Sequence, residues 1–212
     1  MFNHNRGLWG YTGTAADGEP LTVQSSGMGG PSAAIVMTEL AELGARRLVR
    51  VGTCGALDPT LALGDLLVPI CALGCDGTSR ALGDAERVSP DPGLLRTLRA
   101  RGGLASVETA SVDLFYGAEE RSLFERGAQA LDMECATLFA LAPKLDLQTA
   151  AVLIVSDTLL PRRHRIAPDA LQEAERAAGA LAARALSTER SQEAGAEAAR
   201  ARSRKPVGAS GS

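Results

Sequence analysis

The sequence predicts an α/β domain. Two observations carry that prediction. Short apolar runs of strand length alternate with segments whose apolar residues recur at helical spacing. One of those runs, residues 148–156, is almost wholly apolar and rich in β-branched residues, the pattern of a strand buried on both faces of a sheet.

The elements follow in chain order. Residues 8–14 and 21–25 read as strands around the turn Asp17-Gly18. Gly27-Met28-Gly29-Gly30-Pro31-Ser32 reads as a strand-to-helix turn, with Pro suited to the first helical turn. A helix is expected over 33–43, stopped by Gly44. Strands are expected over 47–52 and 66–73, a helix over 92–101 and a strand over 104–109. A helix over 132–141, the buried strand over 148–156 and a long amphipathic helix over 168–186 complete the pattern. From residue 189 the composition shifts to Ala, Arg, Glu, Ser and Gly. The expectation is one domain over 1–188 and a frayed or disordered tail over 189–212.

Composition narrows the function classes. With 212 residues and 45% hydrophobic content, the chain has enough apolar surface for one sizeable core. A net charge of −3 with no dominant basic stripe argues against an obligate nucleic-acid binder. Cys54, Cys71, Cys75 and Cys135 lack the spacing of a zinc site and read as free thiols in a reducing compartment. The first six residues lack an apolar signal core, and no apolar run approaches the roughly 20 residues that cross a bilayer. The expected location is the cytoplasm.

Four segments carry chemistry, each at a strand end or helix start, where ligands gather in open α/β sheets. The first is the Gly-rich turn over 27–32, which is as often structural as functional. The second is Arg50-Val51-Gly52-Thr53-Cys54-Gly55. An Arg at the end of an apolar strand needs a partner for its charge. With a hydroxyl and flexible backbone amides beside it, the group suits an oxyanion such as phosphate; a salt-bridged structural Arg is the plainer reading. The third is Leu131-Asp132-Met133-Glu134-Cys135-Ala136. Glu134 there either complements a helix dipole or accepts hydrogen bonds from vicinal sugar hydroxyls. The fourth is Ile154-Val155-Ser156-Asp157, where a carboxyl at the end of a buried strand is either a general acid or a turn cap.

Taken in order, these segments resemble the nucleoside phosphorylase family that includes hexameric-type purine nucleoside phosphorylases and uridine phosphorylases. The similarity runs from about Asn5 to Leu186. It also takes in Arg6-Gly7, Trp9-Gly10-Tyr11-Thr12-Gly13-Thr14, Ala56, Gly64-Asp65 and Asp113-Leu114-Phe115-Tyr116. The resemblance implies a three-layer α/β/α sandwich with a mixed central sheet. It implies cleavage of a nucleoside by inorganic phosphate to give free base and ribose 1-phosphate, without metal or cofactor. It assigns phosphate to Arg50, Thr53 and, from a neighbouring subunit, Arg6. It assigns ribose to Met28, Met133 and Glu134. The base falls to Phe115, Cys54, Gly55, Leu131 and Ser156, and Asp157 becomes the acid that protonates N7 of a purine.

The resemblance further implies a homo-oligomer, homodimer units assembling to a hexamer, with nucleoside and phosphate as partners and neither nucleic acid nor membrane. Family members have a longer N-terminus that supplies a first strand and a Gly-Asp phosphate loop. The chain is therefore expected to be short there, and His4 takes no family role. An Arg that assists the acid has three candidates, Arg162, Arg163 and Arg165. Asp157 points to a purine substrate, and Arg121 beside Glu119 keeps uridine as the alternative. A nucleosidase using water would not need Arg50. A truncated, catalytically weak family member is the remaining reading.

Overall fold

A computed structural model of the chain describes residues 3–203 apart from 16, 84, 85, 101, 102 and 118, with side chains described up to residue 187 apart from that of Asn5. Among the described residues the chain runs through β1 (Gly10–Thr14), β2 (Pro20–Gln24), α1 (Gly30–Glu42), β3 (Arg47–Ala56), β4 (Leu66–Gly74) and α2 (Gly77–Leu82). It continues through β5 (Arg87–Val88), α3 (Pro92–Arg99), β6 (Ala105–Ser111), α4 (Glu120–Glu125) and β7 (Ala130–Asp132). The last elements are α5 (Cys135–Leu141), β8 (Gln148–Thr158), β9 (His164–Arg165) and α6 (Pro168–Ser203).

Alternation along β8 builds the layers. Successive strand side chains point to opposite faces. Ala150, Val152 and Ile154 pack with Leu94 and Leu98 of α3 and with Ala178 and Ala185 of α6. Ala151, Leu153 and Val155 pack on the other face with Cys135, Ala136 and Phe139 of α5. Residues 150–155 of the strand are therefore all apolar, being covered on both sides. The α/β architecture with a mixed central sheet is the one expected from the sequence.

The main sheet has the order β5-β4-β6-β7-β3-β8-β9 and contains both parallel and antiparallel pairs. A further antiparallel pairing, Leu66 with Ile154 and Leu67 with Leu153, joins β4 to β8. That pairing closes β4, β6, β7, β3 and β8 into a ring. The hairpin β1-β2 forms a separate two-stranded sheet.

Several boundaries differ from the sequence reading. The helix expected over 132–141 starts at Cys135. Its first residues belong to β7 and the turn after it, where the Asp132 carboxylate accepts from the amides of Glu134 and Cys135 at 3.2 and 2.9 Å. The strand expected to end at Gly52 runs on to Ala56, because Gly55 and Ala56 pair with Leu131 and Ala130. The last helix continues to Ser203, so 189–203 are helical where a disordered tail is expected. Ala, Glu and Arg are strong helix formers, and that propensity extends α6. Residues 204–212 of the expected tail, and Arg101 at the expected end of α3, lie outside the described residues. No helix among those described is long and apolar enough to cross a membrane.

Candidate functional site

Arg50 stands on β3 with its side chain only 14% exposed. On a strand, residue 52 shares its face. Gly52 occupies that position, and a Cβ there would lie 2.5 Å from Arg50 Nη1 and 2.6 Å from Cζ. The glycine leaves the space into which the guanidinium folds. Arg50 Nη2 donates to Glu134 Oε2, and Nη1 lies 3.8 Å from Asp132 Oδ2. Nη1 is buried and has no hydrogen-bond partner among the described residues. Burial works against the Arg50 charge, but the surrounding groups outweigh it and raise its pKa above the ordinary guanidinium value. Burial also holds Cys135 well above the usual thiol range, so Cys135 stays neutral and Asp132 and Glu134 supply the compensating charge.

Glu134 reaches this position from the turn between β7 and α5. Its Oε1 accepts from the Gly29 amide at 2.6 Å. Gly29 caps the start of α1 at φ 83°, a left-handed conformation that favours glycine. The carboxylate thus ties α1 to β3 while each oxygen keeps lone-pair capacity for a ligand hydroxyl. Asp132, 2% exposed, fixes the turn that carries it. Asp132 Oδ1 accepts from Ser111 Oγ at 2.6 Å, and Ser111 Oγ in turn accepts from the Ala136 amide at 2.8 Å.

Asp157 comes from β8, parallel to β3. Thr53 pairs with Ile154 and Cys54 with Val155, but Gly55 pairs with Asp157. Ser156 is the extra residue of a β-bulge, a device that re-aims side chains beside sites. Its hydroxyl lies 3.3 Å from the Cys54 carbonyl and 2.9 Å from Asp157 Oδ2. Asp157 is 5% exposed. The antiparallel strand β9 sets Arg165 opposite Asp157, and Arg165 Nε donates to Asp157 Oδ1 at 3.3 Å. Of the three candidate arginines, Arg165 is thus the one that contacts Asp157. Arg163 lies over the rings of Phe115 and Tyr116, 5.3 and 5.0 Å from their centroids. Arg162 offers its carbonyl to Thr158 Oγ1 at 3.0 Å.

The other candidates are distributed unevenly. Thr53 is exposed on β3, Met28 is 86% exposed before α1, and Met133 is half-buried beside Glu134. Phe115 is half-buried and packs edge-on to Tyr116 at 5.4 Å. Cys54 and Leu131 are core residues; Cys54 Sγ donates to the Ile154 carbonyl at 3.5 Å, and burial raises its pKa. Gly55 is buried where a Cβ would meet Leu159 at 2.6 Å. Arg121 is exposed on α4 and lines a shallow hollow with Glu119, Glu120, Ser122, Glu125 and Leu160. Arg6 is exposed at φ 55° in a short 3-10 turn. A separate groove of about 810 Å³ between β2, α1, β3 and α6 includes Arg50 in its wall but neither Glu134 nor Asp157.

Sequence reasoning missed Asp132, Ser111 and Tyr116 as site residues. Asp132 carried a visible signal, an acidic residue two positions before Glu134 in an apolar stretch. The contacts of Ser111 with Asp132 and of Tyr116 with Arg165 join stretches distant in sequence, which no local pattern reveals.

Known proteins resemble the chain in the same sense as its geometry. The phosphorylase superfamily model matches residues 1–187. The DeoD-type purine nucleoside phosphorylase of Geobacillus kaustophilus (strain HTA426) is 37% identical over 171 residues, covering 75% of this chain and 71% of the relative. The enzyme of the same name from Clostridium novyi (strain NT) is 32% identical over 174 residues, covering 75% and 72%. That from Alkaliphilus metalliredigens (strain QYMF) is 33% identical over 178 residues, with the same coverage. The chain belongs to the nucleoside phosphorylase family.

Proposed function

We propose that the protein cleaves purine nucleosides with inorganic phosphate, giving free base and ribose 1-phosphate. The observation that carries the reading is the bulged register that sets the Asp157–Arg165 pair beside β3, whose Arg50 pairs with Glu134. Breaking the glycosidic bond builds positive charge on the ribose and negative charge on the base. Arg50 Nη1, 3.8 Å from Asp132 Oδ2 and without a hydrogen-bond partner among the described residues, supports a role for the guanidinium in holding phosphate. Thr53 supplies an exposed hydroxyl on the same strand. The Glu134 carboxylate accepts from the ribose hydroxyls. A phosphate oxygen bonds to the anomeric carbon as its bond to nitrogen breaks. Asp157 gives its proton to the base, and Arg165 stabilises the carboxylate left behind.

The names of the relatives support a purine substrate, as does the carboxyl at 157. Arg121 is exposed on α4 in a hollow lined mostly by α4 itself, which gives the uridine alternative less support. We assign the reaction to the cytoplasm, with no cofactor beyond the phosphate co-substrate. Arg6, the exposed Trp9 and the exposed Tyr11 and Val23 of the hairpin support assembly of copies in which Arg6 serves a neighbouring site.

Measuring base release from inosine with and without phosphate tests the activity. Release that depends on phosphate and yields ribose 1-phosphate is expected. Equal rates in both conditions would point instead to a nucleosidase. Mixed oligomers of Arg6→Ala and Asp157→Asn subunits should recover part of the activity if Arg6 acts in trans; a monomer by light scattering would contradict it.

A further inference from the structure

Arg165 is 64% exposed in its side chain, yet it is held at two points. Nε donates to Asp157 and Nη2 donates to Tyr116 Oη at 3.1 Å. Pairing of β8 with β9 fixes only the backbone of Arg165. A long side chain in water otherwise loses conformational freedom to keep one geometry. Tyr116 is itself 68% exposed and has little core to hold it. Its ring is instead fixed by Phe115 at an interplanar angle of 89° and by the Arg163 guanidinium, which Glu120 approaches at 3.7 Å. The result is a chain of contacts from Glu120 through Arg163, Tyr116 and Arg165 to Asp157.

We propose that Tyr116 is a positioning residue whose hydroxyl holds Arg165 against Asp157 for proton transfer to the leaving base. The role rests on the reading of Asp157 as the acid. When the Asp157 proton passes to the base nitrogen, negative charge develops on the carboxylate. A donor already aimed at Oδ1 stabilises that charge without reorganising. A Tyr116 that merely lined the site would affect binding of every nucleoside alike.

The test compares two substrates in Tyr116→Phe, which keeps the ring and removes the acceptor. Inosine needs a proton on its leaving base; a purine nucleoside methylated at N7 already carries the positive charge and leaves as a neutral base. With inosine, kcat should fall roughly tenfold while the KM of the nucleoside changes less than about twofold. Cleavage of the N7-methylated nucleoside should be unchanged, which also shows that the variant is folded. Arg165→Ala should give the same selective loss, and the double variant no further loss, because Tyr116 acts through Arg165. Equal slowing of both substrates, or additive losses, would overturn the role of Tyr116 alone. If the unsubstituted enzyme cleaved neither substrate with phosphate, the function reading would fall and this role with it.

Discussion

Gly52 is the floor on which the Arg50 guanidinium rests: a Cβ at residue 52 would lie 2.5 to 2.7 Å from Nη1, Cζ and Nη2. The two residues share one strand face, so a Cβ at 52 would displace the guanidinium from the place it occupies. Gly52→Ala should push the guanidinium off Glu134. We expect the phosphate KM to rise roughly tenfold, about 1.4 kcal/mol of binding. Phosphate saturation curves check it, and an unchanged KM would show that Arg50 has room to move.

Arg50 and Glu134 are only 14% and 7% exposed. Removing one partner of such a pair leaves the other buried and uncompensated, at a cost of about 3–5 kcal/mol. Glu134→Ala should lower the melting temperature by roughly 6–20 °C. The double variant Arg50→Met with Glu134→Leu should regain most of that stability and none of the activity. Calorimetry on the two variants separates the structural role of the pair from its chemical one.

Asp157→Asn keeps the shape and the contact with Ser156 but cannot give a proton. With inosine, kcat should fall roughly 10²–10⁴-fold, the usual worth of a general acid. The melting temperature should stay close to that of the parent. Steady-state kinetics decide the point, and an Asn variant of near-normal rate would remove Asp157 from the chemistry.

Asp58 gives a pH dependence unrelated to activity. The Thr60 amide and then the Thr60 hydroxyl, at 2.9 and 2.7 Å, hold its carboxyl below the usual aspartate value. A depressed folded-state value contributes stability above the unfolded pKa, and that contribution is lost as pH falls through the folded value. Asp58→Ala should therefore melt lower than the parent at neutral pH, by no more than about 1 kcal/mol because the site is solvent-screened. The two should converge in acid. A gap that persists where Asp58 is protonated would assign the effect to packing.

The pieces of the site were legible where chemistry coincides with a strand end. Arg50, Glu134 and Asp157 each stand out as a charge in an apolar stretch. Their partners were not. Arg165 could not be told from Arg162 and Arg163 in the sequence, because the bulge at Ser156 and the pairing of β9 decide which one faces Asp157. Strands of two or three residues, such as β5, β7 and β9, carry too few positions for a period to show. Cys54 and Leu131 fill the core, and an apolar residue beside a site looks the same in sequence whether it lines the site or packs beneath it.

The ring of strands also governs how the candidate site comes together in folding. Arg47 pairs with Gln148, and Leu66 with Ile154, so the enclosing contacts join distant stretches of the chain. Such pairings must overcome loop-closure entropy before they return any free energy, and they slow folding. The strands that carry Arg50 and Asp157 lie side by side only once β3 has paired with β8, itself a pairing of distant stretches. Recovery of catalysis after dilution from denaturant should therefore lag behind helix formation, making enzymatic activity a clock for the last step of folding.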